Sequence, residues 1–164
     1  MRVFITVAMT ADGFIAQHAD HLATQWTSKA DKRQFVRLTK EAGTMVMGLR
    51  TYLTFGHPLP GRRNIVYSDQ PVESVETTTE TPQDLVRRLE SEGVETLAVC
   101  GGASIYTQFM QAGVVDEVYI DVEPVVFGNG ISLFNTSLDV KLRLISAEPL
   151  NEQGTVLHHY AVEK

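Results

Sequence analysis

An acid stands where an apolar residue belongs. Between Trp26 and Met47 the chain reads WTSKADKRQFVRLTKEAGTMVM, and residues three, four and seven apart share one face of a helix. Asp31, Phe35, Leu38 and Ala42 therefore form one stripe, while Lys29, Lys32, Arg33, Arg37, Lys40 and Glu41 supply the charged remainder. A carboxylate on such a stripe is expensive unless it is paired, protonated or met by a ligand, which makes Asp31 a candidate for ligand binding or proton chemistry. A second reading fits the same spacing. Ser28 followed by Asp31 resembles a capping box, and an acid in the first turn complements the helix dipole by roughly 0.3–1 kcal/mol.

Two glycine junctions are candidates for holding phosphate. The strand-like Thr96–Cys100 runs into Gly101-Gly102-Ala103-Ser104 and then a helical pattern from Ile105 to Ala112. Paired glycines let a backbone approach a ligand closely, and a helix N-terminus attracts anions; the same pair also suits tight strand–helix packing. Gly48, between the strand Thr44–Met47 and a short helix Thr51–Phe55, is a weaker version. The turn Gly56–Gly61, stiffened by Pro58 and Pro60, delivers Arg62, Arg63 and Asn64, where a guanidinium fork can take a carboxylate. His18, Asp20 and His21 have no fixed-spacing partner, so no metal is expected.

The elements that must position these residues alternate between types. Arg2–Met9 is an almost wholly apolar strand, as one covered on both faces should be. A long polar loop, Thr10–Gln25, precedes the Ser28–Ala42 helix. Thr81-Pro82 opens a helix with Leu85 and Leu89 inward, Asp116–Val122 is a further strand, and Lys141–Pro149 and Thr155–Glu163 form a terminal hairpin around Asn151–Gly154. The expectation is an α/β three-layer fold, one domain over 1–164, with a mostly parallel central sheet flanked by helices and an antiparallel end. A net charge of −6 argues against nucleic acid and anionic membranes as partners, and a single cysteine, Cys100, fits a reducing cytoplasm. No apolar run reaches transmembrane length and no signal-peptide pattern is present.

Taken together, these segments resemble dihydrofolate reductase over nearly the whole chain. The resemblance rests on Trp26 with Asp31 and Phe35, Met47-Gly48 with Thr51, Pro58-Leu-Pro-Gly-Arg-Arg-Asn64, and Gly101-Gly102 with Tyr106. Met9–Ala16 and Pro124–Gly130 look instead like segments of the related riboflavin-pathway pyrimidine reductases. The resemblance implies NADPH-dependent hydride transfer to C6 of dihydrofolate, in a monomer or homodimer. The alternatives are a pyrimidine or other pteridine reductase and a non-catalytic nucleotide-binding relative. Asp31 and Trp26 would be catalytic, with Val7, Ala8, Phe35, Phe55, Leu59, Arg62 and Asp121 beside Asp31 around the substrate. Ala8, Ile15 and Ala16 would line the nicotinamide end. Gly48, Leu49, Arg50, Thr51 and Ser68 would take the rest of the cofactor, together with Cys100, Gly101, Gly102, Ala103, Ser104, Ile105 and Tyr106. The implied Gly-Gly peptide is cis.

Four positions depart from the family pattern. Leu49 and Ser104 stand where basic residues often read the 2′-phosphate, so NADPH is implied through Ser68 and Arg50, with NADH left open. Asp121 replaces a threonine and would raise a pKa if buried beside Asp31, and Lys32 takes the place of a pocket hydrophobe.

Overall fold

Arg2–Thr10 (β1) is the hub. It is followed by β2 (Phe14–Ala16), a 3₁₀ turn at Ala23–Gln25, α1 (Lys29–Ala42), β3 (Thr44–Gly48), α2 (Leu49–Phe55), β4 (Arg63–Tyr67) and β5 (Glu76–Thr78). Then come α3 (Pro82–Ser91), β6 (Thr96–Val99), α4 (Ala103–Gln111), β7 (Glu117–Glu123), β8 (Ile131–Ser132), β9 (Leu142–Pro149) and β10 (Val156–Val162). The computed structural model describes residues 1–164. Eight strands form one sheet in the order β5-β4-β3-β6-β1-β7-β10-β9. β1 lies parallel between β6 and β7, and the only antiparallel pairings in this sheet are those of β10 with β7 and β9.

Alternation along the strands divides the core. Val3, Ile5 and Val7 of β1 join Val118 and Ile120 of β7 under α3 and α4, packed with Leu85, Leu89, Phe109 and Met110. Phe4 and Tyr119 point the other way, towards Leu38 of α1 and Tyr52 of α2. By the same period of two, Asp121 and Glu123 lie on the α1 face. Part of the expected Thr10–Gln25 loop is ordered backbone: Phe14–Ala16 pairs antiparallel with Ile131–Ser132, because the turn at Gly128–Gly130 brings the later segment back against it. Three residues are too few to show a period, so only the tertiary pairing reveals them.

At the opposite end of β1 an ion cluster ties three strands together. Arg2 donates Nε and Nη2 to Glu117 at 2.8 Å each, and Tyr119 donates to the same carboxylate at 3.1 Å. His159 Nε2 lies 2.5 Å from it. Arg2, against the opposing effect of burial, pulls the Glu117 carboxyl down to about 2, helped by His159 and Tyr119. A depressed carboxylate contributes stability that is present above its unfolded value and lost as pH falls through its folded value. Wild type should therefore lose this contribution between about pH 4.5 and 2. Glu117→Gln should cost about 1–2 kcal/mol in urea unfolding near neutrality, allowing for solvent screening, and should flatten the acid limb. An acid limb as steep as wild type would refute the assignment.

Candidate active site

The N-terminus of α1 is fixed to the sheet before any ligand enters. Ser28 caps the helix by accepting the Asp31 backbone N–H at 3.1 Å. Its own N–H and hydroxyl donate to Glu123 Oε1 at 3.0 and 2.8 Å, and Thr155 donates to the other oxygen at 3.0 Å. Glu123 thus takes the N–H that a reciprocal capping box would give to Asp31, so the Asp31 side chain is released from capping. The buried face of α1 is Ala30, Gln34, Leu38 and Thr39; of the stripe expected from spacing only Leu38 is fully buried, while Phe35 and Ala42 pack half-buried against its cluster. The helix is rotated so that Asp31 and Phe35 lie half-buried on the flank of the packed face, with access to solvent.

Below that flank lies Asp121, only 4% exposed, in register with Ala8 of β1 and Leu157 of β10. Burial raises the Asp31 pKa, opposed by hydrogen bonding with Asp121 and by the nearby Thr27 hydroxyl. Burial also pushes Asp121 up, to about 9, reinforced by the hydrogen bond and charge of Asp31. Two buried polar atoms on the segments around Asp31 have no protein partner: Asp121 Oδ1 on β7 and Trp26 Nε1 just before α1. Buried polar atoms are normally satisfied, so an unpartnered carboxylate oxygen on Asp121 marks a place suited to a polar ligand.

Apolar residues frame the acid. Phe35 and Phe55 stack with centroids 6.1 Å apart, and Leu59 packs against the same core. Trp26 sets its edge against Phe127 at 5.1 Å. Of the two arginines, Arg63 is consumed by Glu76 at 2.7 and 3.0 Å and Glu92 at 2.6 Å. Arg62 donates Nη1 to Thr39 at 2.8 Å and Nε to the Pro60 carbonyl at 3.0 Å, and is only partly buried. Asn64 clamps the turn by bonding both backbone groups of Leu59 at 2.9 Å. Val7 is a correction: its side chain belongs to the α3–α4 core, since strand alternation turns it to the face opposite Asp121, and only its backbone is available on this side.

The glycine junctions meet each other. Gly48 N–H donates to the Gly101 carbonyl at 2.8 Å, and the Gly101–Gly102 peptide is cis. Gly101 has φ +103°, and a Cβ there would lie 3.0 Å from the Tyr106 hydroxyl, itself bonded to the Thr6 carbonyl at 2.9 Å. Neither Gly48 nor Gly102 gives its helix a side-chain cap, and a Cβ on Gly102 would sit 3.5 Å from Thr51 Oγ1. Bare first-turn amides beside a glycine surface suit an anionic diphosphate. Cys100, Ile105 and Tyr106 are buried and form the floor, Ala103 is half-buried, and Ser104 is exposed and accepts from Gln108 at 3.1 Å. Leu49, Tyr67 and Ser68 line an open groove of about 530 Å³ together with Asp69 and Glu80 and no lysine or arginine, and Arg50, next to Leu49 in the chain, is exposed. Ile15 and Ala16 sit in β2, held by Asp12, which accepts the Phe127 and Gly128 amides at 3.1 and 2.7 Å. Sequence reading missed Thr27, Glu123, Phe127 and Asp12. Glu123 shares the alternation of Asp121 and was discoverable that way; the Asp12 contacts span 115 residues or more and left no local signal.

Comparison with known proteins agrees with this arrangement. Residues 2–138 match the family model described as dihydrofolate reductase. The uncharacterized protein YwjB of Bacillus subtilis (strain 168) is 26% identical over 171 residues, covering 96% of this chain and 97% of that protein. Dihydrofolate reductase HdrB of Haloferax volcanii is 34% identical over 120 residues, covering 65% of this chain and 59% of that protein. Among solved structures, a pyrimidine reductase-like protein from Corynebacterium diphtheriae superposes with a TM-score of 0.81 at 14% identity, over 99% of this chain and 92% of that one, a likeness of fold alone. With most of its length matched and the sheet built as described, the chain belongs to the dihydrofolate reductase family, a family of reductases.

Proposed function

We propose that the protein is an NADPH-dependent dihydrofolate reductase, with Asp31 gripping the amino-substituted edge of the pteridine. The observation that carries this reading is the half-buried Asp31 beside the buried Asp121, whose Oδ1 has no protein partner. A carboxylate can accept two charge-assisted hydrogen bonds from an aminopyrimidine edge, Trp26 Nε1 can donate, and Phe35, Phe55 and Leu59 can exclude water from the ring. Gly48–Thr51 and Gly101–Tyr106 would hold the dinucleotide diphosphate, with Ala8, Ile15 and Ala16 at its nicotinamide end; the bound cofactor supplies the hydride. The groove lined by Leu49 and Ser68 would take the adenosine end, and Arg50, next to Leu49 in the chain, would read a 2′-phosphate.

Loss of reduced-nicotinamide absorbance with dihydrofolate as acceptor, run in parallel with NADPH and NADH, tests the proposal. No turnover with either cofactor would sink it. Arg62→Ala should raise KM for dihydrofolate about 10–100-fold, the worth of a charge-assisted pair, and affect a pterin without the glutamate tail far less. Equal losses would remove the carboxylate clamp. A pyrimidine reductase is the second reading, favoured by the likeness in fold to the Corynebacterium diphtheriae protein and by the segments Met9–Ala16 and Pro124–Gly130. Activity on a ribosylaminopyrimidine, and none on dihydrofolate, would select it.

A further inference from the structure

Two carboxyl groups share this buried site, and no cation is committed to either. Lys32 Nζ is turned to the Thr24 carbonyl at 3.3 Å, and Arg37 bonds both oxygens of Glu41 at 3.0 Å and also Gln34. Both act on the acids only as distant charges. Glu123, two residues along the strand, adds negative charge and is occupied by Ser28 and Thr155. Ala8 and Leu157, which flank Asp121 on β1 and β10, carry no charge, and the buried Tyr106 hydroxyl is committed as a hydrogen-bond donor to the Thr6 carbonyl. Asp121 is 4% exposed, faces Asp31, and keeps Oδ1 without a protein partner. Like charges so placed resist being ionised together in the free protein, and such acids titrate as a pair.

We propose that Asp31 and Asp121 hold one proton between them and hand it to a ring nitrogen of the substrate. Asp121 is then a second catalytic acid, and the site is confined to heterocycles with a C=N bond whose nitrogen can be protonated. The inference rests on the reductase reading above. As the carbon of that bond gains hydride from the reduced nicotinamide, its π pair forms the new N–H bond with the proton of the pair. The O–H electrons stay on the carboxylate and the dinucleotide leaves oxidised. The doubly ionised pair then regains a proton from water through Asp31, the more exposed of the two.

The test starts with the free protein. Infrared titration should find a protonated-carboxyl C=O stretch that survives to neutral pH in wild type and vanishes in Asp121→Asn, and its absence from wild type overturns the proposal. Calorimetry of a 2,4-diaminopyrimidine antifolate in two buffers of different ionisation enthalpy, at about pH 8, then reads proton uptake on binding. Wild type should take up close to none, because the pair supplies the proton, and Asp121→Asn close to one; equal uptake overturns the hand-over. Asp121→Thr, also neutral, should repeat the asparagine result. A wild type that shows the infrared band yet does not bind the antifolate refutes the folate reading and the hand-over to it, and leaves the shared proton established.

Discussion

Asp31→Asn should fold normally and lose about 10²–10³-fold in kcat/KM with dihydrofolate, a range set by one charge-assisted contact and one proton-handling group. The backbone N–H of residue 31, which Ser28 caps, is unchanged by the substitution, and Glu123 rather than Asp31 holds the Ser28 amide. The loss therefore falls on the site and not on the helix. Asparagine presents an amide donor where the substrate edge needs an acceptor, and it removes the partner with which Asp121 shares its proton. Melting temperature together with steady-state kinetics separates the two effects. Unchanged turnover defeats the role given to Asp31, and a drop in melting temperature large enough to explain the lost rate would return the residue to the cap.

What could be read from the sequence depended on whether the signal was local. Strand and helix periods located β1, α1, α3 and the terminal hairpin to within a residue or two, since each carries several repeats of its own pattern. The glycine junctions and the two arginines were legible because backbone freedom and guanidinium chemistry are properties of residue type. The rotation of α1 was not. Four spaced positions define a stripe, yet only Leu38 of them is fully buried, and its companions on the packed face are Ala30, Gln34 and Thr39, because the fit of the whole helix on the sheet sets its rotation. The same limit explains Val7, whose neighbour Ala8 lies on the site face by strand alternation alone. Asp12 and Glu123 act through partners about a hundred residues away, where no window of sequence looks.

A carboxyl kept protonated by burial also writes itself into the stability of the fold. Asp121 has its folded pKa raised, to about 9, whereas an unfolded aspartate titrates near its ordinary value of 3.8. Between those values the native state binds more protons than the unfolded one, so this acid's contribution is complete below about pH 4 and is lost as pH rises through about 9. At up to 1.36 kcal/mol per pH unit, wild type should lose about 2–4 kcal/mol from this source between pH 5 and 8. Asp121→Asn has no such proton to lose, so its melting temperature should gain on wild type steadily as pH rises and exceed it in mild alkali. Glu117 works in the opposite sense and only in acid, which keeps the two limbs of the curve separate. Parallel melting curves for wild type and Asp121→Asn from pH 5 to 9 would mean that Asp121 is ionised throughout, at a cost the surrounding apolar strands have no means to offset.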